Sequence, residues 1–423
     1  MGSYQEKEEI RMKRKNKIFA VVLCAAVLSG GAAATAYAGW VQNGGQWYYY
    51  NESGNQVYGQ WIKDGNAWYY MDYNGIMARN QLIDDTYYVG DNGVMVVNNW
   101  QYIQDDPWTA EAHWYYFGAD GRAYEDGWKT IGGQKYHFTS RQMDTGWYED
   151  GENVYYLGSS GAMAVGWNLL YSDRDEGWSD QNWYYFSSTG RMSRSKEQSI
   201  GGVTYIFDSY GRMLTGWVDY ENFTSAYYDN ITEDVNHLKY CDASGAPVSG
   251  WQYLVTPDGS DESWFYFREG KAYTPSYKTT PLNDHYGVAK INNKVYCFNS
   301  GGRMVTGELE LSDGRNYYFD ESGAMVTGRV TIDGEVFYYD KTGSLGNVGA
   351  GYTGVKDGYL YENGSLVRAE EGLRYEVVTV AGKTYLVNES GKVRTGGTVT
   401  DADGNKYKVE ESDDGGYHIT RVN

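Results

Sequence analysis

Aromatic side chains are the residues of this chain best suited to chemistry. Of 423 residues, 15 are Trp and 45 are Tyr, and many stand in triplets such as Trp68-Tyr69-Tyr70. On an extended strand, Trp68 and Tyr70 share one face and Tyr69 points to the other. Three rings around a small space form a cage for a quaternary ammonium, with about 0.5–2 kcal/mol per cation–π contact, and the same rings can stack on sugar faces. We expect the flanking Trp to contact a ligand and the middle Tyr to pack in the core.

No catalytic or metal motif accompanies these rings. The five His residues have no HExxH or similar spacing, and neither a GxSxG elbow nor a P-loop is present. Asp173, Asp175 and Asp180 resemble a calcium loop only faintly, because the full ligand pattern is missing. We therefore predict a protein that is not an enzyme and that uses neither a metal nor a cofactor.

The triplets belong to an internal repeat of about 20 residues, too short to bury a hydrophobic face alone. Asn43-Gly44 and Asp333-Gly334 are hairpin signals, because both central positions of such a turn need a positive φ. A Gly-Trp or Xaa-Trp pair usually opens the unit, and a turn Gly, often with Met two residues later, closes it. The pattern predicts an all-β fold, a solenoid of stacked β-hairpin repeats that follows an N-terminal signal peptide.

The N-terminus reads as a secretory signal peptide. Lys13, Arg14, Lys15 and Lys17 precede an apolar run, and Ala36-Tyr37-Ala38 is an A-x-A cleavage site. An uncleaved membrane anchor is the alternative, since residues 18–36 are barely long enough to span a bilayer. Cleavage after Ala38 leaves 30 basic and 53 acidic residues and a net charge of −23, which disfavours nucleic acid and anionic lipid; acidity that only keeps the protein soluble is an equally good explanation.

Two cysteines remain after cleavage, Cys241 and Cys297. Aligned on the turn Gly, both take the position that Phe117 and Phe186 fill in other units. We therefore expect two buried free thiols that serve as small apolar residues rather than a disulfide.

The chain divides into four parts by composition. Residues 1–38 are the signal peptide, 39–284 are Trp-rich hairpin repeats with long inserted loops, 285–345 are Tyr- and Gly-rich repeats, and 346–423 are degenerate repeats that cap the stack. Long loops cost little closure entropy and often carry specificity.

These repeats resemble the choline-binding or cell-wall-binding repeats of Gram-positive bacteria, most clearly over residues 39–59, 60–78, 146–166 and 307–328. They are also similar to the glucan-binding regions of glucansucrases and to the C-terminal repeats of clostridial toxins. The resemblance implies ligand sites made of two aromatics of one hairpin and one of the next, such as Trp47 and Tyr49 with Trp61. The residues it marks as ligand-binding are Trp47, Tyr49, Trp61, Trp68, Tyr70, Trp100, Trp114, Tyr116, Trp128, Trp147, Trp167, Trp183, Tyr185, Trp217, Trp251, Trp264 and Tyr266.

The function implied is that of a secreted, non-catalytic protein of the cell surface or cell wall. It would attach to choline-bearing teichoic acid or a related wall polymer, with neither nucleic acid nor, after signal cleavage, a membrane as partner. The inserted loops would be free for a protein partner. The alternative is a secreted glycan-binding protein or adhesin that recognises neutral glucan or host carbohydrate.

Overall fold

The fold consists of antiparallel β-hairpins, as the sequence predicts. The computed structural model describes residues 38–104, 111–172, 181–226 and 235–422, and no α-helix occurs within these ranges. In this part of the chain no helix is long and apolar enough for a membrane span. The proposed signal peptide, apart from Ala38, and the three aspartates at 173, 175 and 180 lie outside the described residues.

Two compact units follow one another, one ending at Ala164 and one beginning at Val165. The strands of the first unit are β1 Gly39–Asn43, β2 Gln46–Tyr50, β3 Gln60–Asp64, β4 Ala67–Met71, β5 Gln81–Ile83, β6 Tyr87–Val89, β7 Asn99–Ile103, β8 His113–Phe117, β9 Gly127–Ile131, β10 Gln134–Thr139, β11 Gln142–Met143, β12 Gly146–Asp150 and β13 Asn153–Leu157. They pair as the hairpins β1/β2, β3/β4, β5/β6, β7/β8, β9/β10 and β12/β13, with β11 added to β10.

The second unit continues the pattern with longer hairpins and some third strands. Its strands are β14 Gly166–Tyr171, β15 Gln181–Phe186, β16 Lys196–Ile200, β17 Val203–Phe207, β18 Gly216–Asp219, β19 Thr224–Ser225, β20 Leu238–Cys241, β21 Gly250–Val255, β22 Glu262–Arg268, β23 Lys271–Ala272, β24 Thr280–Pro281, β25 Tyr286–Ile291, β26 Lys294–Asn299, β27 Gly307–Glu310, β28 Asn316–Phe319, β29 Gly328–Ile332, β30 Glu335–Tyr339, β31 Gly354–Lys356, β32 Tyr359–Glu362, β33 Ser365–Val367, β34 Tyr375–Val380, β35 Lys383–Asn388, β36 Gly397–Thr400, β37 Lys406–Glu411 and β38 Tyr417–Val422. Strands β29 to β33 share one five-stranded sheet in the order β29-β30-β33-β32-β31.

The hairpin turns are built as their sequences require, with one shift. Between β29 and β30, Asp333 and Gly334 have φ values of +47° and +89°, so the predicted turn is confirmed. Between β1 and β2 the central pair is Gly44-Gly45, with φ values of +59° and +81°. The prediction placed this turn one residue too early, because Asn43 still pairs with Gln46 in the ladder.

Successive hairpins are joined through the residue two positions after the turn Gly. The Met304 N–H donates to the Trp264 carbonyl oxygen at 2.8 Å, and the Met77 N–H donates to that of Trp47 at 2.8 Å. The Trp of one hairpin is therefore hydrogen-bonded to the turn that follows the next hairpin in the chain. This contact fixes which aromatic rings of neighbouring hairpins can meet.

The core lies under the residue that follows each triplet. Phe117, Phe186 and Phe267 are buried there, and Cys241 occupies the same register opposite Gly216. Cys297 does not, because the equivalent bridge to the closing turn is made by Phe298 with Met304, so the alignment of Cys297 was wrong by one residue.

Both thiols are nevertheless free and buried, as predicted. Burial raises the pKa of Cys241 and of Cys297 to about 12 because the thiolate is poorly solvated there. Their role is apolar packing.

Candidate aromatic ligand sites

The most complete ring cluster surrounds Trp251. Trp251 and Trp264 belong to the same hairpin, and their ring planes meet at 85° with centroids 6.4 Å apart. Tyr266, the cross-strand neighbour of Trp251, lies 5.0 Å from it. Tyr296 of the next hairpin lies 4.7 Å away on the other side. Two perpendicular indoles and a ring from each of two hairpins thus form a walled aromatic corner.

The same arrangement recurs around other opening tryptophans. The Trp–Trp centroid distances are 6.3–6.5 Å at 86–87°, and the ring of the next hairpin lies 4.7–5.0 Å away. The clusters are Trp40 with Trp47, Tyr49 and Tyr69; Trp100 with Trp114, Tyr116 and Tyr136; and Trp167 with Trp183, Tyr185 and Tyr205. A repeated geometry of this kind is the signature of a repeated site.

Exposure separates the two faces of three triplets. Trp114, Trp183 and Trp264 are 37%, 43% and 44% exposed, while the middle residues Tyr115, Tyr184 and Phe265 are buried. The alternation expected from strand geometry is therefore present there. In these three corners one indole faces solvent and can offer an aromatic face to a ligand.

The structure groups several predicted site residues differently from the family-based expectation. Trp61 does not join Trp47 and Tyr49, because its ring contacts are with Tyr70 at 5.2 Å and Tyr87 at 5.3 Å. The third wall beside Trp40 is the middle Tyr69, a position assigned to the core.

Trp128 likewise does not join Trp114 and Tyr116. It packs on His137 at 5.0 Å and on Tyr155 at 4.9 Å, and His137 takes the position of Tyr116 in the ladder. The His137 Nδ1 lies 2.5 Å from Asp144 Oδ2. This slot is thus occupied by a buried imidazole that is fixed by a carboxylate.

The remaining predicted residues form smaller clusters. Trp68 is 38% exposed, with the Lys63 ammonium 5.7 Å from its ring centroid. Trp147 lies 5.1 Å from Tyr156, and Trp217 lies 5.3 Å from Tyr240 and 5.2 Å from Phe265.

Sequence reasoning missed one wall of three complete clusters and two walls of the Trp40 cluster. The missed residues are Trp40, Tyr69, Tyr136, Tyr205 and Tyr296. Of these middle rings only Tyr69 stands in an aromatic triplet of the sequence, and the contact of each with the preceding hairpin depends on how the hairpins stack.

Negative charge lies beside the first of these clusters. Asp64 Oδ2 accepts a 2.9 Å hydrogen bond from the Trp40 indole N–H. Burial, and then the charge of Asp64, raise the pKa of the neighbouring Tyr69. An aromatic corner with a carboxylate at its edge favours a cationic ligand over an anionic one. No group of side chains in the described ranges has the composition of a metal site.

Two family models match the chain. One, described as "Choline-binding repeat", matches residues 37–82, 286–325 and 309–346. The other, described as "Putative cell wall binding repeat", matches residues 112–123, 126–140, 145–163 and 178–192. The matches include the hairpins of Trp40, Trp128 and Trp147.

Curated relatives are enzymes of streptococci that are much longer than this chain. Glucosyltransferase-S of Streptococcus mutans serotype c is 27% identical over 259 residues, which are 55% of this chain and 17% of that protein. Glucosyltransferase-I of Streptococcus downei is 25% identical over 319 residues, 73% of this chain and 16% of that protein. The chain thus spans only about a sixth of the length of these relatives.

Solved structures with similar repeats come from Streptococcus pneumoniae. The modular autolysin LytC is 21% identical, with 68% of this chain and 52% of that chain covered and a TM-score of 0.39. Choline binding protein F is 24% identical, with 74% and 100% covered and a TM-score of 0.27.

Proposed function

From the match of choline-binding repeat and cell wall binding repeat models to parts of the chain, we propose that it is a secreted, non-catalytic protein. In this proposal, its aromatic corners hold choline-bearing wall polymers. The polymer would be teichoic acid or a related wall component, and the protein would reside on the cell surface or in the wall. In this proposal the repeats supply binding surfaces rather than a catalytic site.

The perpendicular Trp pair carries this proposal. In the Trp251 cluster, Trp264 presents one free face to solvent while Trp251 and Tyr296 close two other sides. A trimethylammonium group has no hydrogen-bond donor and needs several ring faces rather than a polar partner. The corner offers such faces.

The charge of the protein supports a cationic ligand. The net charge is −20 for the whole chain, and Asp64 lies at the Trp40 corner. Long-range attraction would raise the local concentration of a cationic polymer substituent. Repetition along the chain adds avidity, because several choline groups on one polymer can bind at once.

Isothermal titration with choline chloride tests the proposal, with sodium chloride at equal concentration as the ionic control. Residues 39–423 should show saturable heat with choline alone. Trp264→Ala should remove one site, while Tyr73→Ala, which alters a ring that is 84% exposed, should leave the titration unchanged.

A glycan ligand is the second candidate, favoured by the likeness to two glucosyltransferases. Heat that does not exceed the salt control, together with binding to an immobilised glucan, would reject the choline proposal and support this one.

A further inference from the structure

A cleft beside Trp217 differs from the aromatic corners in size and lining. Its volume is about 550 Å³, and its walls include Trp217, Tyr240 and Tyr253. Volumes of this order are usual for sites that hold small molecules. A trimethylammonium group alone would leave much of this cleft empty.

Tyr253 links the cleft to the Trp251 corner. Its side chain is 53% exposed, and its ring lies 5.3 Å from that of Trp264 at an interplanar angle of 52°. Trp264 in turn is a wall of the Trp251 corner. The rings therefore form a continuous track from the cleft, over Tyr253, to a candidate choline site.

The polar groups of the cleft suit hydroxyl groups. The Trp217 indole N–H already donates to the Val255 carbonyl oxygen at 2.9 Å, so the ring acts as an apolar face. Ser225, Thr256 and Glu262 also line the cleft. Of its described lining residues only Glu262 is charged, so the cleft offers a carboxylate acceptor and no cation for a phosphate.

The exposed Tyr–Trp pair is not confined to this hairpin. Tyr102 lies opposite Trp114 in the ladder, as Tyr253 lies opposite Trp264. The Tyr102 ring is 59% exposed and lies 5.1 Å from that of Trp114. Large exposed rings that recur at one position of the repeat indicate a ligand surface.

We propose that the cleft of Trp217, Tyr240 and Tyr253 binds a neutral pyranose ring of a polysaccharide whose cationic substituent occupies the adjacent Trp251 corner. The apolar face of the sugar stacks on Tyr253, and its hydroxyl groups donate to Glu262. This inference rests on the proposed function, and it assigns the sugar and the choline group to different residues.

The test uses three neutral trisaccharides, isomaltotriose, cellotriose and chitotriose, titrated into residues 39–423 with saturating choline present. At least one should bind. Tyr253→Ala should weaken its binding by about tenfold, Tyr253→Phe should retain it, and Tyr73→Ala should have no effect. Because Tyr102 forms the same pair with Trp114, Tyr102→Ala is measured alone and in combination with Tyr253→Ala. We expect Tyr253→Ala to weaken trisaccharide binding more than Tyr102→Ala, because Tyr253 lines the cleft.

Three results would overturn the proposal: no binding of any trisaccharide, binding that is indifferent to Tyr253→Ala, or loss of one choline site in Tyr253→Ala. The last would show that the cleft and the Trp251 corner are not separate sites. A separate titration of the unaltered protein with choline tests the proposed function. If choline does not bind, the trisaccharide titration is repeated without choline, so that the two proposals can fail separately.

Discussion

Glu197 and Lys239 form an ion pair at the position where other hairpins place Trp against an aromatic ring of the next hairpin. Glu197 is the second residue of β16, as Trp167 is of β14; we call this the opening residue of the hairpin. Lys239 lies two residues before the buried Cys241, as Tyr205 lies two residues before the buried Phe207; we call this the middle residue. The opening residue of one hairpin and the middle residue of the next are therefore one coupled pair along the stack. Where the pair is Trp with Tyr it builds an aromatic corner; here it joins two hairpins by charge.

Loss of this ion pair should destabilise the protein modestly. Glu197→Gln should lower the free energy of unfolding by about 1 kcal/mol, because the Lys239 side chain is only 14% exposed and has Glu197 as its carboxylate partner. Chemical denaturation of Glu197→Gln, Lys239→Gln and the double variant measures the coupling. If the loss of unfolding free energy in the double variant equals the sum of the losses in the two single variants, the two residues do not stabilise the protein as a pair.

Arg329 fills the same opening slot in a third way. It lies opposite Tyr338 in the ladder, and its guanidinium carbon lies 4.2 Å from the ring centroid of Tyr359 in the next hairpin. The slot thus contains a cation of the protein's own, which repels a cationic ligand.

Replacement of Arg329 and Val336 by Trp should therefore open a site. Arg329→Trp places an indole between Tyr338 and Tyr359, and Val336→Trp supplies the second indole, because Val336 holds the register position of Trp264. In a choline titration of the double variant the stoichiometry should rise by one, while Arg329→Lys should leave it unchanged. An unchanged stoichiometry in a folded double variant would mean that the Trp pair does not decide ligand class.

Local features of the fold were readable from the sequence. The Asp333-Gly334 turn and the burial of Tyr184 follow from φ preferences and strand alternation, which act over a few residues. Both therefore agree with the structure.

The grouping of rings was not readable in this way. Strand periodicity says that Trp47 and Tyr49 share a face, but whether Trp61 or Tyr69 completes the corner depends on the rotation between hairpins. That rotation is set by long-range contacts such as the bond from Met77 to Trp47. Cys297 was misplaced for a different reason: Phe298 stands four residues before Gly302, as Phe117 stands before Gly121, so the regular repeat spacing assigns this position to Phe298.

The two buried thiols should be unreactive in the native protein. Burial raises the pKa of Cys241 and Cys297 to about 12, so almost no thiolate exists at pH 8, and the thiolate is the reactive species. With residues 39–423, a disulfide reagent that reports free thiols should react slowly until guanidinium is added, and then with two thiols. Rapid reaction without denaturant would mean that β20 or β26 opens readily.

A glycine in the turn after a hairpin, such as Gly323, and one in the turn within a hairpin, such as Gly314 between β27 and β28, should differ sharply in their tolerance of a side chain. At Gly323, where φ is +76°, a Cβ would lie 2.3 Å from the Met304 Sδ of the preceding repeat; at Gly314, where φ is +82°, a Cβ would meet nothing within 4 Å. Both alanine variants incur the backbone cost of about 1–2 kcal/mol, but only Gly323→Ala must displace a packed side chain, which costs about 1–3 kcal/mol more. We therefore expect the denaturation midpoint of Gly323→Ala to fall well below that of Gly314→Ala. Equal midpoints would show that Met304 moves aside freely, and that packing of the methionine against the next turn does not fix the stacking of the repeats.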